Sequence, residues 1–228
     1  THTITASGGT AANYDISFVS GILTVSKAAA ITVTADDKSK VYGAADPALT
    51  YTVTGTLYYG DTSTVVSGVN LATSTGSAAT FGTHAITAGD GTALNYNVDF
   101  VEGTLTVSKA AALTVTPDDK SKVYGAADPA LTYTASGTLY YSDGYDVITG
   151  VNLATATGAA ATYGTHSITA ADGVADNYEV DFATGTLTVS KAPLTVTADD
   201  KAKVYGAAEP TLTYTASGTL YYGDGYDV

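Results

Sequence analysis

Three acidic pairs stand at one register of this sequence: Asp36-Asp37, Asp118-Asp119 and Asp199-Asp200. Paired carboxylates in loops are what calcium takes, since it accepts about six to eight oxygens at about 2.3–2.6 Å. The turns Asp143-Gly144-Tyr145-Asp146 and Asp224-Gly225-Tyr226-Asp227 offer further carboxylates, whereas Asp61-Thr62-Ser63-Thr64 stands at that place in the first copy. No stretch has EF-hand or calcium-binding nonapeptide spacing. Lysines follow each pair, as at Lys38 and Lys40, so a second reading is a solvated hairpin end whose aspartates are neutralised locally. Calcium is the one cofactor these residues suggest.

Adjacent tyrosines form a second constellation: Tyr58-Tyr59, Tyr140-Tyr141 and Tyr221-Tyr222. Read as strand residues, neighbours point to opposite faces. One of each pair is then expected in the core, with Tyr59, Tyr141 and Tyr222 on the surface, free to stack on a sugar or a neighbouring domain. The alternative is that both rings pack near a domain junction.

Catalytic patterns are missing. His2, His84 and His166 occur once per copy, and His84 shares a strand face with Ile86, which suits a structural role. There is no Gly-x-Ser-x-Gly elbow, no Gly-x-Gly-x-x-Gly and no phosphate loop. Lys27, Lys109 and Lys191 stand at domain boundaries, but an isopeptide crosslink would need a carboxyl or amide partner and a catalytic acid. Glu102, Glu179 and Glu209 do not share a register. The chain reads as a non-enzyme.

The charge balance excludes more. Among 228 residues, 22 are acidic and 9 are basic, all of these lysine, for a net charge of −13. That supplies no basic patch for nucleic acid. Cysteine is absent, so no disulfide or thiolate metal site can form. No run approaches the ~18 apolar residues of a membrane-spanning helix.

Self-comparison organises these residues. Val41-Tyr42-Gly43 recurs at Val123-Tyr124-Gly125 and at Val204-Tyr205-Gly206, after offsets of 82 and 81. The phasing gives the C-terminal part of a repeat over 1–27, complete repeats over 28–109 and 110–191, and the N-terminal part of another over 192–228. Both ends fall within a repeat, as expected of a window on a longer array.

Each repeat alternates with period two. Ile31 and Val33 share one face while the neighbouring threonines take the other, and Tyr96, Val98 and Phe100 repeat the pattern. Such segments are strands with one buried and one wet face. Gly and Asx clusters punctuate them into about six or seven short strands per repeat. Asp61–Ser67 is expected to form one helical turn capped by Asp61 or Thr62. The short link Lys109-Ala110-Ala111-Ala112 contains no glycine, which predicts a semi-rigid, elongated string of β domains.

The stretch Asp36-Asp37-Lys38-Ser39-Lys40-Val41-Tyr42-Gly43-Ala44-Ala45-Asp46-Pro47, with the later Asn-Tyr-x-Val-Asp-Phe and Gly-Thr-Leu-Thr-Val blocks, resembles the MBG domain of the YGX type. The resemblance covers the whole chain. It implies an all-β module, β-grasp-like or an immunoglobulin-like sandwich, repeated in tandem in large extracellular bacterial surface proteins such as filamentous-haemagglutinin-like adhesins. It implies a structural part in a stalk, filament or biofilm, with neighbouring repeats or identical chains in a fibre as partners and no catalytic residues. The alternative function is glycan or mucin binding through exposed tyrosines and loops, with host or matrix glycans as partners.

Overall fold

The computed structural model describes residues 1–226. The chain divides into two units, Thr1–Ser108 and Lys109 onward.

In the first unit, β1 (His2–Ile4) and β2 (Gly21–Leu23) form an antiparallel pair. Seven strands follow: β3 (Ala28–Ala35), β4 (Lys38–Val41), β5 (Tyr51–Thr54), β6 (Asn70–Thr73), β7 (Gly82–Gly89), β8 (Tyr96–Val101) and β9 (Gly103–Ser108). They make two mixed sheets, ordered β5-β3-β8 and β4-β9-β7-β6. Alternation along β3 turns Ile31 and Val33 fully inward, where Val66, Ala93 and Tyr96 complete the core. The expected helical turn is a 3-10 turn over Ser63–Val65; Thr62 is its N-cap residue but makes no side-chain cap bond.

One feature of the topology governs the aspartates. Both β3–β8 and β4–β9 are parallel pairs. Asp36-Asp37 joins β3 to β4, and Glu102 joins β8 to β9. The two segments therefore run side by side and change sheets together. The corners pass so closely that a β-carbon on Gly103 would lie 2.4 Å from the Ala35 carbonyl oxygen. Only glycine fits there.

The second unit repeats the design. Its strands are β10 (Ala110–Pro117), β11 (Lys120–Val123), β12 (Tyr133–Ser136), β13 (Asn152–Thr155), β14 (Gly164–Ala171), β15 (Tyr178–Phe182) and β16 (Thr184–Ser190). The sheets are β12-β10-β15 and β11-β16-β14-β13. Leu113, Val115, Ile168 and Leu187 are fully buried. β17 (Thr195–Ala198) and β18 (Tyr214–Ser217) then pair antiparallel. Among the described residues, every strand pair is drawn from a single repeat, so no strand is exchanged between copies.

Candidate functional site

The acidic pairs sit at the corners where the chain changes sheets. The Thr50 hydroxyl donates to Asp36 Oδ2, and Lys38 Nζ donates to Thr50 Oγ1 at 2.7 Å. Asp37 Oδ1 accepts the Thr104 N–H at 2.7 Å and so ties one corner to the other. Asp118 and Asp119 repeat this with Thr132 and the Thr186 N–H. Asp199 accepts from the Thr213 and Thr215 hydroxyls, which hold its carboxyl below the usual value. Asp200 is exposed. Among the described residues, no group of three or more His, Asp or Glu side chains is gathered for a metal ion. Asp227 lies outside the described residues.

The tyrosine pairs are not in strands. The Asp61 N–H donates to the Tyr58 carbonyl at 3.0 Å and closes a tight turn through Tyr59 and Gly60. Tyr59 has φ +57°, Tyr141 +60° and Tyr222 +54°. All three therefore sit in the left-handed region, a costly conformation for a bulky side chain. Strand alternation fails here because the turn sets where the rings point. Tyr59 is 106% exposed, and its ring lies 6.4 Å from that of Tyr58. Tyr141 and Tyr222 are about half exposed.

Tyr222 shows what such a turn can hold. Its ring packs edge-on to Tyr124, with centroids 5.6 Å apart, and its hydroxyl donates to the Ala159 carbonyl at 2.7 Å. The Tyr221 ring meets Tyr124 at 6.1 Å and 88°. It also lies flat against Gly125: a β-carbon there would be 2.2 Å from Tyr221 Cγ. The Tyr124 hydroxyl donates to the Asp224 carboxylate; burial and that carboxylate raise its pKa above the ordinary tyrosine value. The Tyr-Gly of one repeat thus receives the tyrosine pair of the next. Tyr205, at the same register as Tyr124, is 103% exposed.

A buried lysine shapes the receiving surface. Lys122 Nζ donates to the Ala159 carbonyl at 2.7 Å, to Ala126 O at 3.2 Å and to Asp128 Oδ1 at 2.7 Å. Its side chain is 2% exposed. The same Ala159 oxygen therefore accepts from Lys122 within the repeat and from Tyr222 of the next. Lys40 makes the equivalent bonds to Ala44 O, Asp46 and Ser77 O in the first complete repeat.

Lys38, Lys40, the Tyr-Gly step and Asp46 all belong to one recurring stretch. The MBG domain (YGX type) matches residues 31–106, 113–188 and 194–228. The chain belongs to this family. It is not an enzyme family. No curated protein matches the chain.

His84, His166 and Lys27 of the MBG repeats are also held by bonds within the chain. His84 Nε2 and the Thr80 carbonyl oxygen are 2.8 Å apart, and His166 sits likewise beside Thr162. Lys27 Nζ donates to the carbonyls of Ala93 and Tyr96. One functional tyrosine escaped the sequence reading. Tyr96 is buried on the strand face it shares with Val98, and its hydroxyl also donates to Asp61 Oδ2 at 2.7 Å and accepts the Tyr58 N–H at 2.9 Å. It thereby anchors the Tyr58–Asp61 turn from inside; Tyr178 does the same for Tyr140 and Asp143. The Tyr58 N–H favours the phenolate, but burial and the Asp61 carboxylate outweigh it and hold the Tyr96 pKa above the ordinary value. The recurrence of Asn-Tyr and Gly-Asp or Ser-Asp in matching registers was the available signal.

Proposed function

We propose that the chain is a stretch of the stalk or filament body of an extracellular bacterial surface protein, in which Tyr-Gly and Tyr-Tyr act as a socket and plug between successive MBG repeats. The supporting observation is the Tyr221 ring on Gly125, where no other residue type fits. An array serves reach when its joints are held, and aromatic contacts of this kind contribute about 0.5–1.5 kcal/mol beyond buried area. The hydrogen bond from the Tyr222 hydroxyl to the Ala159 carbonyl adds direction. Mutual repulsion between chains carrying net negative charge keeps such bodies soluble. Attachment or biofilm assembly follows as the biological use.

Amide relaxation of the full chain tests the joint. In the wild type, residues 195–226 should tumble with 110–190. In Gly125→Leu they should relax as an independently moving segment. Equal relaxation in both proteins would sink the proposal.

Glycan binding is the second reading. A cleft of about 290 Å³ is lined by Tyr124, Tyr163, Lys191 and Asp224, with Lys191 Nζ 5.1 Å from the Tyr163 ring centre. Aromatic faces beside charged hydrogen-bonding groups suit a sugar. A glycan array probed with wild type and Tyr163→Ala separates this reading from a purely structural one.

A further inference from the structure

The first complete repeat lacks a tyrosine that its siblings carry. Tyr145 begins the 3-10 turn of the second repeat, and its hydroxyl donates to the Gly137 carbonyl at 3.0 Å, just past the end of β12. Tyr226 makes the same bond to Gly218 at 2.8 Å. At this register the first repeat has Ser63, and Gly55 is the glycine that corresponds to Gly137 and Gly218. A serine cannot span that gap. A groove of about 660 Å³ lies at this place, lined by Tyr51, Thr52, Val53, Ser63, Thr64 and Val66. The volume is within the range of ligand sites, about 300–1,000 Å³.

We propose that this groove binds a tyrosyl side chain presented by another polypeptide. The occupant's chemistry is read from the siblings, which each place a phenol ring beside this strand and bond its hydroxyl to the glycine carbonyl. Gly55 keeps φ +127°, close to the +134° of Gly137 and +141° of Gly218, so its backbone is already set in the same left-handed conformation. The lining contains no charged residue, so it fits a neutral phenol and not a phosphorylated one. β5 is also an edge strand of its sheet, which leaves the groove open to an incoming segment.

The test uses the full chain and N-acetyl-tyrosinamide as the probe, read by amide shifts. Shifts are expected at residues 51–56 and 63–66. N-acetyl-phenylalaninamide, which lacks the hydroxyl, should bind about tenfold more weakly, the loss expected for one hydrogen bond. Ser63→Tyr should fill the groove and reduce binding by more than about tenfold. Tyr145→Ser gives the reverse test: it should open a second site, with new shifts at residues 133–138. Equal binding of the two amides, equal shifts from a simple methyl glycoside, or unchanged binding in Ser63→Tyr would each overturn the proposal. So would the absence of new shifts in a folded Tyr145→Ser protein.

Discussion

The ring of Tyr221 occupies the space that a side chain on Gly125 would need, with Cγ 2.2 Å from the position of a β-carbon. Gly206 has the same left-handed backbone, φ +86° against +83°, but nothing within 4 Å of its β-carbon position. The two glycines therefore separate backbone strain from lost packing. Gly206→Ala should cost about 1 kcal/mol from the left-handed conformation alone. Gly125→Ala should cost about 2–3 kcal/mol, because Tyr221 must also leave. Urea unfolding of each full-length variant gives the comparison, and equal losses would remove the socket.

Tyr222 and Lys122 share the Ala159 oxygen. Tyr222→Phe should cost about 1 kcal/mol, the net value of one hydrogen bond. Lys122→Met should cost more, about 2–3 kcal/mol, since Asp128 and two carbonyls lose their partner. The double variant should fall short of the sum, because removing Lys122 frees the Ala159 segment that Tyr222 grips. Additive losses would show that the lysine does not shape the socket.

Much of the fold was legible. Period-two alternation puts Ile31 and Val33 on one face, and both are fully buried; Tyr96 is buried as well, but Phe100 on the same predicted face is 38% exposed. A helical turn within Asp61–Ser67 was also legible and is the 3-10 turn Ser63–Val65, although no side chain caps it. The tyrosine pairs were not, because their left-handed conformation opposes the local preference of a bulky residue and is imposed by the Tyr96 and Asp61 hydrogen bonds from elsewhere in the fold. The aspartates were seen as loop carboxylates, but their corner role needs the two parallel strand pairs, which alternation cannot reveal. Nor does alternation pair Tyr124 with Tyr221, since the contact joins residues distant in sequence. The recurring Tyr-Gly and Tyr-Tyr registers were the only trace of it.

Tyr59 bears the strain of its turn with its ring in solvent. Tyr59→Asn should therefore stabilise the protein by about 1 kcal/mol, since asparagine tolerates the left-handed region. Tyr222→Asn relieves similar strain but loses the ring contacts and the Ala159 bond, so it should destabilise. Thermal melts of the two variants should shift in opposite directions.

Asp37 ties the two chain corners together through the Thr104 N–H. Asp37→Ala should cost about 1–2 kcal/mol by leaving that N–H without its charged acceptor. Gly103→Ala should cost more, because its β-carbon would meet the Ala35 carbonyl oxygen at 2.4 Å and backbone must move. Unfolding curves with and without added calcium should give the same ranking.

Tyr96 and Tyr124 each donate to a carboxylate, Asp61 and Asp224, and both have raised pKa values. A hydroxyl held above its unfolded value contributes stability that is fully present below about pH 10. That contribution is lost as pH rises through the folded value, because the unfolded chain releases the proton first. Alkaline titration followed by tyrosinate absorbance should therefore show a late-ionising group of tyrosines. Asp61→Asn should bring Tyr96 down from that group, since its carboxylate no longer opposes the phenolate, and Asp224→Asn should do the same for Tyr124. Asp224→Asn should also leave Tyr96 unmoved, because Asp224 contributes nothing to its shift. If neither variant lowered an ionisation midpoint, the carboxylates would not face these hydroxyls in solution.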